Sequence, residues 1–493
     1  MARTSPPNTL PLRPSGEGKP LATWLYDELR LAIIEGRLRP NAQIPSSRVL
    51  SAEYGVARGT AIAAFEALRH EGYIESRKGS GSFVATNLPD KFFRSAGMPT
   101  QQSIKPSEAK LSRWGQQIRL TFPARKTKRI SLPFEANLPA LDLFPTALWA
   151  RLAGRQMRQA NPRYLGYGDG AGYLPLREAV ANHLGSTRGV SCTAEQIVIV
   201  SGTQQTLQLT ARLTLDAGDR VWVEDPGYIG AVAAFRDVGG DVVGVPVDEF
   251  GINVAAGERL APRARLAYVT PAHQFPLGVG LSLERRLALL HWAQKSKAWI
   301  FEDDSESEFR FSGRPLPPVQ SLDTSECVIF AGSFNKMLFP TLRLGYVVLP
   351  PRLVSPFLDA RGMSDRFPPA LEQRVLCDFI TEGYFGQHLR RMREAYAERL
   401  QALMDEANTG PLAGLVTIAP IQAGIQTAAI LPSRIPDVKA SAAAAHEGME
   451  IIPISTFQIS RQDINGLMLG FANTTPASIR SASKKLGALL SRL

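Results

Sequence analysis

The sequence predicts two folded units of different class on one chain: a small α+β unit of three helices and a hairpin, then a large α/β unit with a largely parallel sheet. Three observations carry this. The 493 residues exceed what one ordinary core organises. Residues 20–86 show short helical patterns that end in a period-two pair. From residue 132 onward, short apolar strands alternate with helical stretches, the pattern of a sheet covered on both faces.

In the front unit, Leu21, Leu25, Leu29, Ile33 and Ile34 recur at helical spacing until Gly36. Pro45-Ser46-Ser47-Arg48 opens a second helix, with a serine as N-cap, that runs to the turn Tyr54-Gly55-Val56. A third helix, 58–70, puts Ala61, Phe65 and Leu68 on one face. Two short helices joined by a three-residue turn make a helix-turn-helix, whose second helix fits the major groove of double-stranded DNA. Tyr73–Arg77 and Ser82–Val84 then alternate around Lys78-Gly79-Ser80-Gly81, which reads as a hairpin, the wing. Arg48 and Arg58 sit near helix N-termini, where side chains and backbone N–H groups meet phosphates and base edges; Ser47, Thr60, Arg77 and Lys78 add donors. We place this unit, a winged helix-turn-helix, at residues 18–86.

Charge is uneven. Residues 1–86 hold 11 basic and 8 acidic side chains, residues 87–131 hold 10 and 2, and the rest is neutral within a net +11. A basic front end suits a polyanion. Periodicity fades over 87–131, which reads as a basic tether: either a solvated linker or a second electrostatic contact with DNA. No apolar run approaches 18 residues, and the first residues lack the apolar stretch of a secretion signal, so no membrane span or export is expected. Three scattered cysteines without metal-ligand spacing suit a reducing cytoplasm.

The large unit, 132–493, has strand candidates at 196–200, 220–223, 266–270, 298–301, 328–331 and 344–349. A helix at 282–295 carries Leu283, Leu287 and Leu290 on one expected core face. Ligands in such sheets sit beyond the carboxyl ends of the strands. Five of those ends are polar: Ser201-Gly202-Thr203-Gln204, Glu224-Asp225, Pro271-Ala272-His273-Gln274, Glu302-Asp303-Asp304 and Gly332-Ser333-Phe334-Asn335-Lys336. Gly202-Thr203-Gln204 opens a helix, where free N–H groups favour a phosphate. A lysine able to bond an aldehyde, an acid for a pyridinium nitrogen and a phosphate cup are the parts of a pyridoxal phosphate site.

Essentially all of residues 20–86, with PSSR and GSGSF as the most specific parts, resembles the GntR-type winged helix, and YGDGAGYLPLREAVANHL, VEDPGYIGA, TPAHQFPLGVGLSLERRLALLHWA, FEDDSESEFRFSGRPLPPVQSLD and GSFNKMLFPTLRLGYVVLP resemble the aminotransferase-like part of MocR/GabR-type regulators. That family joins a winged helix to a fold-type-I aminotransferase-like domain in this order. The resemblance implies a transcription regulator with pyridoxal 5'-phosphate on Lys336, held in an internal aldimine. It puts Asp303, or Asp304 one residue on, at the ring nitrogen, and Gly202, Thr203, Gln204 and Arg343 at the phosphate. Ser333 belongs to the lysine loop, Tyr228 stacks on the ring, and Gln274 lies near the ring hydroxyl. It further implies a head-to-tail homodimer and a small amine or amino-acid effector that exchanges with the lysine and alters DNA binding. The alternative is a competent aminotransferase with a regulatory DNA-binding part.

Several positions depart from the family pattern. Ser305 replaces a tyrosine expected at the ring hydroxyl, Asn335 a serine before the lysine, and Gln426 a histidine in an A-G-L-H stretch. Met468 stands where the enzymes carry a substrate-carboxylate arginine, with Arg461 as a candidate substitute. Weak turnover is expected, with cofactor retention open.

Overall fold

The computed structural model describes Leu12 and residues 20–77, 80–88, 110–112, 115–116, 132–313 and 316–493. The chain divides into two compact units between Lys110 and Leu111. Of the expected tether, only 87–88, 110–112 and 115–116 fall among the described residues.

The front unit contains α1 (Leu21–Ile34), α2 (Ser47–Tyr54) and α3 (Arg58–His70), with strands β1 (Gln43–Ile44), β2 (Ile74–Arg77) and β3 (Gly81–Val84) in the order β1-β3-β2. Ser46 caps α2 by accepting from the Val49 N–H, and Gly55 ends it in the left-handed region. Leu25, Leu29 and Ile33 of α1, Leu50 of α2, and Ala61, Ala64 and Leu68 of α3 share a core with Ile74 and Val84. Leu21, expected on the core face, is half exposed, because the wider Trp24 takes the contact one turn on. β1 escaped the sequence reading: two residues have no period, and the strand exists through its pairing with β3.

In the large unit, β4 (Ile197–Val200), β5 (Arg220–Asp225), β6 (Asp241–Asp248), β7 (Gly251–Ile252), β8 (Leu266–Val269), β9 (Trp299–Asp303), β10 (Val328–Ser333) and β11 (Gly345–Val348) form one sheet. Its order is β4-β11-β10-β9-β8-β5-β6-β7. The run from β10 to β6 is parallel, with β11 antiparallel to both neighbours and β7 antiparallel to β6. The β10–β11 connection is too short for a crossover, so the chain must double back. Apolar strands such as Ile197–Val200 and Leu266–Val269 are buried throughout, as a sheet covered on both faces requires.

Helix Leu283–Ser296 corrects one expectation. Leu283 and Leu287 are exposed, and the buried face is Arg286, Leu289, Trp292 and Ala293. Trp292 stacks on Trp222 of β5 at 3.8 Å, and the larger aromatic contact sets the helix's rotation. β6 was not anticipated, since Gly244 and Pro246 interrupt its apolar run.

A second sheet, β12 (Thr417–Ile418), β13 (Gln426–Ile430), β14 (Ile452–Pro453) and β15 (Gly466–Gly470), has the order β12-β13-β15-β14. β15 carries Met468 and stops at Gly470, because the Phe471 and Ala472 N–H groups turn to the Ile425 carbonyl. Gly470 donates to the Phe134 carbonyl at 2.9 Å, and a Cβ there would lie 2.0 Å from the Glu135 carbonyl oxygen. The start of the large unit is therefore pinned to its last strand by a contact only glycine permits. Gly470→Ala should destabilise the protein by about 1–3 kcal/mol, the range of an overpacked core. A urea unfolding midpoint unchanged from the parent would contradict this.

Candidate functional site

The carboxyl ends of β4, β5, β8, β9 and β10 bring the polar clusters together. β9 and β10 run parallel with Ala331 opposite Asp303, and the Asp304 N–H donates to the Ala331 carbonyl at 2.8 Å. The segment after β10 carries Lys336 in the short helix Phe334–Met337, whose N-cap Ser333 accepts from the Asn335 N–H.

Alternation along β9 separates its acids. Glu302 accepts from the Val319 and Gln320 N–H groups at 2.9 and 2.8 Å, and burial pushes it up to about 7. Asp304 pairs with Arg188 at 3.3 Å and accepts from Ser307 at 2.7 Å. Asp303 points the other way. Its Oδ2 accepts from the Tyr268 hydroxyl at 2.9 Å, and its Oδ1 is buried without a partner. Burial pushes Asp303 up to about 6, opposed by the Lys336 charge and the Tyr268 bond. A buried carboxylate oxygen with nothing to accept from fits a cationic ring N–H. The residues present therefore suit pyridoxal phosphate, and of the two acids it is Asp303 that has the buried oxygen without a partner.

Lys336 Nζ lies 2.8 Å from Glu306 Oε1 and 3.4 Å from Ser305 Oγ. Burial disfavours its charge, but the Glu306 and Asp303 carboxylates outweigh that and hold the amine above its ordinary value. Glu306 also accepts from Gln426 Nε2 at 3.0 Å and the Ile425 N–H at 3.3 Å, and lies 3.7 Å from His273 Nε2. Burial works against its charge, yet Lys336 keeps it below the usual carboxylate range. Burial keeps His273 below its ordinary value, favouring the neutral ring.

Across the sheet, Gly202 precedes helix Thr203–Thr214 with φ 134°, a conformation favouring glycine, and that helix has no side-chain cap. The N–H groups of its first turn are left for an anion. The Gln204 side chain donates to the Gly230 carbonyl and accepts from the Tyr228 hydroxyl, so it positions the aromatic ring. Arg343 is exposed, at φ 52° in the β10–β11 turn. Asn335 latches this turn: its Oδ1 accepts from the Leu344 N–H at 3.0 Å, and its Nδ2 reaches the Ser201 carbonyl at 3.4 Å.

One cofactor expectation needs correction. Gln274 gives its amide N–H groups to the Pro226 and Phe275 carbonyls at 2.8 and 2.6 Å, and its Oε1 accepts from the Leu277 N–H. Those two carbonyls and the more distant Glu224 Oε2, at 3.4 Å, share the two amide N–H bonds, leaving no donor for a ring hydroxyl. Sequence reasoning also missed Glu306 and Tyr268, and it gave Glu224 no role beyond its place in the polar end of β5. Glu306 could have been suspected as an acid three residues beyond Asp303; Tyr268 lies inside an apolar strand and gave no signal.

In the front unit, Arg48 and Arg58 are exposed in the first turns of α2 and α3, with Ser47 and Thr60 half-buried beside them. α3 has no side-chain N-cap. Arg77 is partly committed: it donates to Asn41 at 2.8 Å and lies over the Phe83 ring at 4.5 Å, bracing the wing. Lys78 lies outside the described residues.

Comparisons with known proteins agree with both halves. Residues 21–84 match the model of bacterial regulatory proteins of the gntR family, and residues 132–486 match aminotransferase class I and II. The chain is 38% identical to the probable rhizopine catabolism regulatory protein MocR of Rhizobium meliloti, over 95% of this chain and 93% of that protein. It belongs to the MocR/GabR-type transcription regulators. The HTH-type pyridoxine biosynthesis regulator PdxR of Corynebacterium glutamicum is 29% identical, over 93% of this chain and 94% of its own length. Among solved structures, LysN, an alpha-aminoadipate aminotransferase of Thermus thermophilus complexed with N-(5'-phosphopyridoxyl)-L-leucine, is similar with a TM-score of 0.68 and 30% identity. That similarity covers 73% of this chain and 92% of LysN. This MocR/GabR-type chain thus pairs a winged helix-turn-helix with a fold-type-I aminotransferase-like domain. No helix among its described residues is long and apolar enough to cross a membrane.

Glu224, buried at the end of β5, supplies a pH test. Burial pushes it up to about 7, although Thr270 and Gln274 donate to it. In the unfolded chain a glutamate titrates at about 4.3. The folded state therefore binds more protons between roughly pH 4.5 and 7, and stability falls as pH rises through that window. In cofactor-free protein, Glu224→Gln should flatten that fall by up to about 1 kcal/mol per pH unit. Parallel pH profiles of the urea midpoint for parent and variant would refute it.

Proposed function

We propose that this chain is a ligand-responsive, DNA-binding transcription regulator that carries pyridoxal 5'-phosphate. The observation that carries the reading is the buried Asp303 with its free Oδ1, one strand away from Lys336. Bound there, the cofactor supplies an aldehyde that bonds amines reversibly and an electron-withdrawing ring. Lys336 would hold the aldehyde and Asp303 the ring nitrogen. The backbone at Gly202, Thr203 and Gln204, with Arg343, would take the phosphate, and Tyr228 would cover the ring. Ser333 and Asn335 shape the lysine loop.

Residues 18–86 would bind double-stranded DNA through Ser47, Arg48, Arg58, Thr60, Arg77 and Lys78, joined by the basic segment 87–131 to the sensing domain 132–493. A small amine or amino acid that takes the place of Lys336 at the cofactor would change contacts around the pocket. If it binds one domain arrangement better than another, DNA affinity changes without any product being made. The molecule would work in the cytoplasm as a head-to-tail homodimer. Met468 argues against efficient turnover, since enzymes of this kind fix substrate by a bidentate arginine–carboxylate pair.

Two experiments test this reading. Lys336→Ala should abolish both the visible absorbance of protein reconstituted with pyridoxal phosphate and its borohydride-fixable attachment; an unchanged spectrum sinks the assignment. Arg58→Ala should weaken binding to a duplex selected by the protein from a random pool, by roughly 1–3 kcal/mol if Arg58 reads a base. Parent binding should also weaken with salt, each neutralised phosphate adding about −0.9 to the log–log slope. Salt-independent binding, or full affinity after Arg48→Ala and Arg58→Ala together, would remove this face from the interface.

A further inference from the structure

The wall of the pocket distinguishes between the two effector classes, an amine and an amino acid. Met468 on β15 is fully buried in an apolar cluster with Ala136, Phe275 and Phe457, and Tyr228 packs against the same cluster. β15 pairs with β13 so that Ala428 faces Met468 and Gln426 faces Gly470. Gln426 is the residue that donates to Glu306, the partner of Lys336. The position of an arginine in the enzymes is thus held by a fully buried methionine, in an apolar cluster against which Tyr228 packs.

The opposite side of the amine is acidic. Glu306 touches Lys336, His273 lies against that carboxylate, and Asp303 adds a second negative group. Of the cations nearby, Arg461 and Arg188 are paired with carboxylates, and Arg310 is tied through one guanidinium nitrogen to neutral acceptors. Arg461, the candidate substitute, pairs with Asp463 at 2.6 Å and donates to the Val247 carbonyl at 3.0 Å. Arg310, whose charge reaches His273, donates to Gln422 at 2.6 Å and to the Ser312 carbonyl at 3.0 Å. Arg188 is paired with Asp304.

We propose that the ligand site at Lys336 selects a primary amine with no carboxylate beside the amino group, Met468 and Glu306 being the residues that reject amino acids. The inference rests on the cofactor reading above and narrows its effector. Two physical terms act in the same direction. Pressing a carboxylate onto the Met468–Phe275–Phe457 wall strips its water with no hydrogen bond in return. Placing it near Glu306 adds like-charge repulsion, whereas an incoming ammonium is attracted to the same carboxylate. An amine lacking that group gives its hydrocarbon to the wall and meets neither cost.

Matched pairs that differ only by the carboxylate decide the matter: isoamylamine against leucine, phenethylamine against phenylalanine, putrescine against ornithine. Each is titrated into desalted protein reconstituted with pyridoxal phosphate. The visible absorbance is followed, and the shift in thermal midpoint serves as an independent readout. Each amine should act at a concentration at least about 10-fold lower than its amino acid. Met468→Arg should reverse the order, Met468→Leu should preserve it, and Glu306→Gln should narrow the gap. Amino acids acting at equal or lower concentration than their amines in the parent protein would overturn the proposal while leaving the cofactor reading intact. A protein that takes up no pyridoxal phosphate would instead overturn the reading beneath it, and this inference with it.

Discussion

The parallel pairing of β9 with β10 is the constraint on which the site depends. With Ala331 opposite Asp303, the end of one strand presents an acid and the segment leaving the other presents Lys336. Neither position is set by contact between the two side chains. Both follow from strand register, and a slip of one residue would exchange Asp303 for Asp304 and turn the wrong acid to the pocket. The buried ladder that fixes this register is therefore also what fixes the chemistry.

That arrangement gathers five acids, Glu224, Glu302, Asp303, Asp304 and Glu306, all buried. Burying carboxylates is costly unless each finds a partner. Glu302 is met by backbone N–H groups, Asp304 by Arg188, Glu224 by Thr270 and Gln274, and Glu306 by Lys336 and Gln426. Among them, Asp303 alone keeps a fully buried oxygen without a partner. The scaffold thus leaves one deficit, and a cationic ring N–H is the kind of group that fills it.

The departures from the aminotransferase pattern divide by what they touch. Asn335 is a latch that ties the Arg343 turn to the end of β4. Met468 belongs to an apolar cluster and removes the fixed grip on a carboxylate. A regulator needs an effector to bind and to change the pocket; it does not need the reacting bonds held in one pose. The first kind of change is compatible with keeping a cofactor, and the second with giving up rapid turnover.

By itself the sequence determined the two-unit plan, the three front helices, the six strands whose apolar runs are continuous, and the polar clusters at their ends. These follow from local periodicity and from the rule that a parallel sheet keeps its ligands at its carboxyl edge. The Lys336 and Asp303 assignments came from motif resemblance, with Asp304 left open as the alternative; strand alternation shows that the two acids have different partners, Tyr268 for Asp303 and Arg188 for Asp304. Tertiary structure alone decided that the Gln274 amide is taken up by the Pro226 and Phe275 carbonyls and that Glu306 is the lysine's partner. It also turned helix Leu283–Ser296 onto Trp292 and assembled β12–β15 into a sheet. Each of these turns on which groups meet across long stretches of chain, and a hydrogen-bond donor looks the same in sequence whether its partner is a cofactor or a carbonyl one residue away.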